Sequence, residues 1–200
     1  MEKARITTTM TRTRDFDSPE YTQRPVHLAF RDVVVRSIPW SQFDPYSDLR
    51  SNNEDSIAPF KIIDKTSNPK ISLVIDYQGS PAGEICIWNI HESGKACMIS
   101  YWVDKNLRRK KIATYAVALV TDYCMSELDM SEVEAPVLPE NEASINLLRN
   151  LSYGMVGYQT FTGSDQIQRA HDMYLLVKPE NAIDFSLVEF IEMMEQQPEE

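Results

Sequence analysis

At Ile112 the apolar residues of this chain change their period, and that change restricts the folds open to it more than any other feature. Upstream, three β-branched runs follow in quick succession: ISLVIDY (71–77), AGEICIWNI (82–90) and ACMISYWV (96–103). The turn-forming stretches QGSP and HESGK separate them, a spacing that predicts an antiparallel meander. From Ile112 onward, Tyr115, Ala116, Leu119, Val120, Tyr123 and Cys124 recur at intervals of three and four. They mark one buried helix face, expected to end at about Leu128. VEAPV (133–137) predicts a short strand. LPEN then leads into a second helix, with Asn141 as N-cap and Ile145, Leu148 and Leu151 on its apolar side. YGMVGYQTF (153–161) and AHDMYLLVK (170–178) predict a closing hairpin. The class that follows is α+β, a mixed, mostly antiparallel sheet flanked by helices.

The flanks read differently. Residues 1–25 are polar and basic without periodicity, and a disordered arm is expected. Residues 27–38 contain one expected strand, in VVVRSI, and residues 39–68 predict loops with one or two short helices. Residues 26–180 therefore form one expected domain, with no internal repeat. Residues 181–200 carry an amphipathic helix over about 184–196, with Leu187, Ile191 and Met194 on one side, and then an acidic tail.

Composition excludes several classes. No apolar run approaches the roughly 20 residues that span a bilayer, and the first 16 residues lack the apolar core of a secretory signal. Their Arg and Thr content has a faint likeness to a transit peptide, but Glu2 and the missing apolar face favour a tail. Cys86, Cys97 and Cys124 are odd in number and form no CxxC, so they read as buried apolar residues in a reducing cytosol. His27, His91 and His171 are isolated, and no metal site is expected. Thirty acidic against 20 basic residues, a formal charge of -10, argue against nucleic-acid binding and favour a cationic substrate or basic partner.

Against that charge, DKNLRRKKIATYA (104–116) sets four cations, Arg108, Arg109, Lys110 and Lys111, directly before the first helix. A helix start offers unpaired N–H groups and partial positive charge, so a diphosphate can lie across it. Standing alone, such a run is more often a solvated face. Here YWVDKNLRRKKIAT resembles the acetyl-coenzyme A motif of the GNAT acetyltransferase superfamily, and VLPENEASINLLRNLSYGMVGYQ resembles its RimJ/RimL-like branch. The likeness covers about residues 30–178 and is densest over 101–158. It implies a GNAT-like acyl-CoA N-acyltransferase fold in which ACMISYWV splays from VEAPV, with Pro136 beside the opening. It further implies that acetyl-CoA is held by main-chain groups of Tyr101, Trp102 and Val103, by the turn and helix start from Arg108 through Ile112, Ala113 and Thr114, and by Asn141 and Ser144.

The resemblance makes Ser144 the acid or hydrogen-bond donor to the departing thiolate, with Asn141 beside it; either residue also suits a helix cap. Glu84 and Glu134 are the candidates for the base, each also readable as a solvent-facing strand residue. Tyr153 and Tyr158 are candidates for the acceptor pocket or the core. The family's turn usually has glycine where Arg109 and Lys111 stand. Here the turn must keep helical angles or lose cofactor affinity, because a side chain costs about 1–2 kcal/mol in left-handed geometry. The expected function is transfer of acetyl from acetyl-CoA to a primary amine, a protein N-terminus or a small molecule, by a cytoplasmic monomer or homodimer without metal. The alternative is a catalytically weak coenzyme A-binding or protein-interaction module with a degenerate site.

Overall fold

Strands form where β-branched runs alternate, and they assemble largely in chain order. The computed structural model describes residues 5–6, 25–37, 71–91, 95–162, 167–179 and 186–196. Expectations for residues 39–68, for the acidic tail at 197–200, for 92–94 in the HESGK turn, and for all of the first 24 residues except 5–6 lie outside them. The strands are β1 (Arg5–Ile6), β2 (His27–Phe30), β3 (Val33–Arg36), β4 (Ile71–Tyr77), β5 (Ser80–His91), β6 (Ala96–Val103), β7 (Glu132–Val137), β8 (Gly154–Thr162) and β9 (Gln168–Val177). The helices are α1 (Ile112–Ser126), α2 (Glu142–Asn150) and α3 (Leu187–Gln196). Among the described residues nine strands make one sheet in the order β1-β2-β3-β4-β5-β6-β7-β9-β8.

One expectation at the N-terminal edge needs correcting. Residues 27–36 hold a hairpin of two strands rather than one, closed by Arg31 and Asp32 with Arg31 at φ 53°. The turn escaped reading because it lacks the Asn or Gly that usually announces a two-residue hairpin. Within the stretch expected to be an arm, Arg5 and Ile6 pair with Ala29 and Leu28.

The meander behaves as its spacing predicts, with β4, β5 and β6 antiparallel neighbours. Ile85 and Ile87 face the helices and are fully buried, and Glu84, Cys86 and Trp88 face the other way. Gly83 permits a close approach between β5 and β6, since a Cβ there would stand 2.2 Å from the Trp102 carbonyl oxygen. The pairing then changes. β6 and β7 run parallel and meet only at Ala96–Glu132, Cys97–Val133 and Met98–Glu134. Beyond Met98 the two strands part, each still paired on its outer side, β6 with β5 and β7 with β9. Pro136 lies in the parted section, where its missing N–H removes nothing from the β6 ladder.

Helix α1 is buried on nearly every side. The sheet covers one face, and α3 covers the other through Leu187, Val188 and Ile191. Covering that outer face buries Asp122 as well. Its carboxylate accepts from the N–H groups of Leu187 (2.7 Å) and Val188 (3.1 Å) and from the Ser186 hydroxyl (2.9 Å), which caps α3 from a neighbouring helix. Burial pushes this carboxyl up to about 6, with the three donors opposing. Folded Asp122 therefore holds a proton more tightly than the unfolded chain does, and its contribution to stability falls as pH rises between about 4 and 6. The stability of wild type relative to Asp122→Asn, from urea unfolding, is expected to drop by up to about 3 kcal/mol across that window. A flat difference would mean that burial does not govern this group.

Candidate active site

The fork between β6 and β7 points toward the turn that precedes α1. Residues 99–103 of β6 have no partner on β7, so about every second residue there directs main-chain N–H and C=O groups into the gap. After Val103 the chain is pinned by the Asp104 N–H to the Ala82 carbonyl at 2.8 Å. Asp104 also caps a short 3-10 turn, Lys105–Leu107, by accepting from the Asn106 N–H at 2.9 Å. The first bond of α1 runs from the Tyr115 N–H to the Lys111 carbonyl at 3.0 Å. The amides of Ile112, Ala113 and Thr114 thus have no intrahelical acceptor, and Lys111 supplies no side-chain cap.

The backbone does not keep helical angles through the turn. Arg109 and Lys111 adopt φ 63° and 58°, the left-handed region that favours glycine. The four cations are exposed, yet they do not form a single solvated cluster. The Lys110 ammonium sits 5.5 Å from the centroid of the Tyr77 ring. Lys111 turns toward α3 and donates to Glu195 at 2.7 Å. Glu195 also accepts from the Tyr115 hydroxyl at 3.0 Å and pairs with Arg31, whose guanidinium donates to that same hydroxyl at 2.9 Å. Burial would raise the Glu195 carboxyl, but these donors and charges outweigh it and hold it below the usual carboxylate range. The pattern of apolar positions on α3 gave no sign that its last turn would fasten the loop before α1.

Across the fork, α2 begins at Asn141, whose side chain accepts from the Ser144 N–H at 3.2 Å. The cap and the candidate donor are therefore one local unit. Ser144 is half-buried and faces Tyr101 on β6. The Tyr101 hydroxyl oxygen is shielded from solvent and has no hydrogen-bond partner among the described residues. Burial pushes this phenol up to about 12. Ser144 opposes that in part, near enough to bias ionisation without sharing a hydrogen bond.

The two candidate carboxylates are not brought together. Glu84 is buried, accepts from Trp102 Nε1 at 3.1 Å, and lies on the sheet face opposite Tyr101. Glu134 is half-buried at the fork, paired with Met98. Glu84 pairs with Trp102, four residues further along β6, so about 13 Å of strand separates the two. Burial, and then Glu132, raise the Glu134 carboxyl. Tyr153 belongs to the core, sharing a 2.6 Å hydrogen bond with Thr121, and Tyr158 is 79% exposed.

Sequence reading missed an aromatic group on the Glu84 face. Phe161 of β8 contacts Trp88 and His171 edge-on, at 5.9 and 5.3 Å, so a residue from beyond the fork touches one from the meander. Trp88 Nε1 donates to the Ser100 hydroxyl at 2.8 Å. His171 is buried, with Nδ1 donating to the Arg169 carbonyl at 3.0 Å, and burial lowers its affinity for a proton. No described helix is long and apolar enough to cross a membrane.

Residues 12–154 match the family model described as an acetyltransferase (GNAT) domain. A "Probable N-acetyltransferase YjcK" of Bacillus subtilis is 36% identical over 63 residues, which are 32% of this chain. That match spans about a third, 35%, of the relative's length. Mycobacterium smegmatis RimJ, solved in complex with CoA-disulfide, superposes with a TM-score of 0.69 at 19% identity, over 82% of this chain and 90% of that one. The ribosomal-protein-S5-alanine acetyltransferase of Vibrio fischeri gives 0.65 at 18% identity, over 78% and 98%.

The left-handed turn residues separate strain from charge. Arg109→Gly removes strain of about 1 kcal/mol and no described contact, so thermal unfolding should show a Tm equal to or above wild type. Lys111→Gly relieves similar strain but loses the Glu195 pair, so its Tm should fall below that of Arg109→Gly. Equal Tm values would mean that the Lys111–Glu195 contact contributes nothing.

Proposed function

The chain belongs to the GNAT acetyltransferase family, and from that membership we propose that it transfers an acetyl group from acetyl-CoA to a primary amine. The observation that carries this reading is the continuity of one path. The unpaired flank of β6 runs directly into a turn whose three following helix amides lack intrahelical partners. Bound acetyl-CoA would supply an acyl group activated as a thioester. Tyr101, Trp102 and Val103 would hold its amide-bearing arm through main-chain groups. Ile112, Ala113 and Thr114, with Arg108, Arg109, Lys110 and Lys111 around them, would hold its diphosphate.

In this reading Ser144 and Asn141 act at the far lip of the fork, where the thiolate departs. Of the two carboxylates, Glu134 suits the role of base better. It lies where β6 and β7 part, and its raised proton affinity brings it nearer to neutral. Glu84 is the weaker candidate because its side chain is buried and already bonded to Trp102. The acceptor is a protein N-terminus or a small amine, the former in keeping with a neighbour described as a ribosomal-protein acetyltransferase. The net charge of -10 favours a cationic acceptor. Residues 26–180 would be the catalytic domain, and α3 its brace. A reducing cytoplasm fits three buried cysteines outside any disulfide, Cys86, Cys97 and Cys124, and the acting unit is a monomer or homodimer.

A second reading is a weak coenzyme A binder, and the left-handed angles at Arg109 and Lys111 favour it. A turn that must adopt that geometry without glycine keeps its side chains close to where a phosphate would approach.

Calorimetry with acetyl-CoA, followed by thiol release across amine acceptors, separates the two. Binding with turnover supports the transferase, binding without turnover supports the weak binder, and no binding overturns both. Arg108→Ala with Lys110→Ala should weaken acetyl-CoA binding by about three- to ten-fold, and less at high salt. Arg109→Gly with Lys111→Gly should retain binding, since closer backbone approach opposes lost charge. Affinities unchanged in both variants at every ionic strength would return the cations to a solvated surface. Glu134→Gln should lower kcat more than Glu84→Gln does, and the ordering is checked by initial rates across pH.

A further inference from the structure

Tyr101 carries a polar group that the fold leaves unused. It stands on the section of β6 that has parted from β7, on the same face as Ile99 and Val103, and faces the first turn of α2. Its hydroxyl is shielded from solvent and has no partner among the described residues. The Thr121 and Tyr153 hydroxyls bond to each other at 2.6 Å, and neither is a hydrogen-bond partner of Tyr101. A phenylalanine would fill this position without burying an unmet donor, and shielded donors without partners are uncommon in folded chains. The side chain is therefore better matched to something that enters the gap than to the gap itself.

Resting on the transferase reading above, we propose that the Tyr101 hydroxyl donates a hydrogen bond to the sulfur of the bound thioester, and to the thiolate after transfer, beside Ser144. When the amine nitrogen bonds to the acetyl carbon, the carbon–sulfur bond breaks and its electron pair goes to sulfur. The nitrogen gives one proton to the base, and sulfur gains one from solvent. Tyr101 keeps its own proton throughout. Burial has pushed the phenol to about 12, well above an ordinary thiol near 8.5, so it is too weak an acid to protonate that thiolate. It stays a donor through the neutral range. Hydrogen bonds to a charged acceptor are roughly twice as strong as neutral ones, so the contact strengthens as the sulfur becomes anionic.

The test compares wild type, Tyr101→Phe and Ser144→Ala. Each is titrated with coenzyme A and with its desulfo analogue, which lacks the sulfur, and each is then assayed with acetyl-CoA. Wild type should prefer coenzyme A over the desulfo form by about three- to ten-fold, the range of one hydrogen bond. In Tyr101→Phe that preference should vanish. Its kcat should fall at least about ten-fold, and its KM for acetyl-CoA should change less than about three-fold. Loss of the preference in Ser144→Ala alone would assign the sulfur contact to Ser144 and overturn the proposal. So would an unchanged preference and kcat in Tyr101→Phe with a raised Tm, which would mark the hydroxyl as an uncompensated burial. Wild type that binds no coenzyme A would defeat the transferase reading, and the proposal with it. Wild type that binds and turns over while Tyr101→Phe matches it would defeat the proposal alone.

Discussion

Everything that distinguishes this sheet depends on β6 and β7 ceasing to pair after Met98. Parallel neighbours ordinarily continue for the length of the shorter strand, because each unmade bond leaves a donor and an acceptor without partners. Here Pro136 could not have donated in any case, and β7 remains satisfied on its other side by β9. Both strands keep their outer ladders, so the sheet splits without unravelling. The split carries β6 toward the turn before α1 and leaves Glu134 at the point of separation. It also sets Tyr101 opposite Ser144.

Helix α1 is the second support. It is too apolar for a surface helix, and α3 is the element that makes it an interior one. Two charged contacts hold that lid at its ends. At the start Asp122 takes the N–H groups of Leu187 and Val188, and near the finish Glu195 gathers Arg31, Lys111 and Tyr115. The first is buried and weakens as its carboxyl ionises. The second is partly exposed, and its carboxyl is held below the usual range, so its contribution is lost only under more acidic conditions. The two ends of one helix thus respond to pH in opposite directions.

Much of this was legible in the sequence, and the remainder was hidden for physical reasons. The meander, α1, α2 and the closing hairpin follow from apolar spacing, because each buries one face against a common core. The fork was foreseen from the likeness of two motifs, with Pro136 as a local trace of it. The hairpin at Arg31 was missed because a two-residue turn of Arg and Asp looks like any polar pair. Glu84 and Glu134 read alike in sequence, yet one is buried against Trp102 and the other sits at the fork, a difference set by partners far away in the chain. The roles of Asp122 and Glu195 were not legible, since nothing local shows what will lie across them. The aromatic contact of Phe161 with Trp88 and His171 joins three strands and has no sequence signature.

The bond between Lys111 and Glu195 has a consequence for how the molecule is made. The turn before α1 is set by residues near the middle of the chain, but one of its left-handed members is fastened by a carboxylate 84 residues later. A ribosome delivers those parts in that order. Until α3 emerges, α1 presents an uncovered apolar flank to water and Lys111 has no anchor. A chain that stops before residue 186 therefore holds every described strand and yet leaves Lys111 without its carboxylate and one flank of α1 in water.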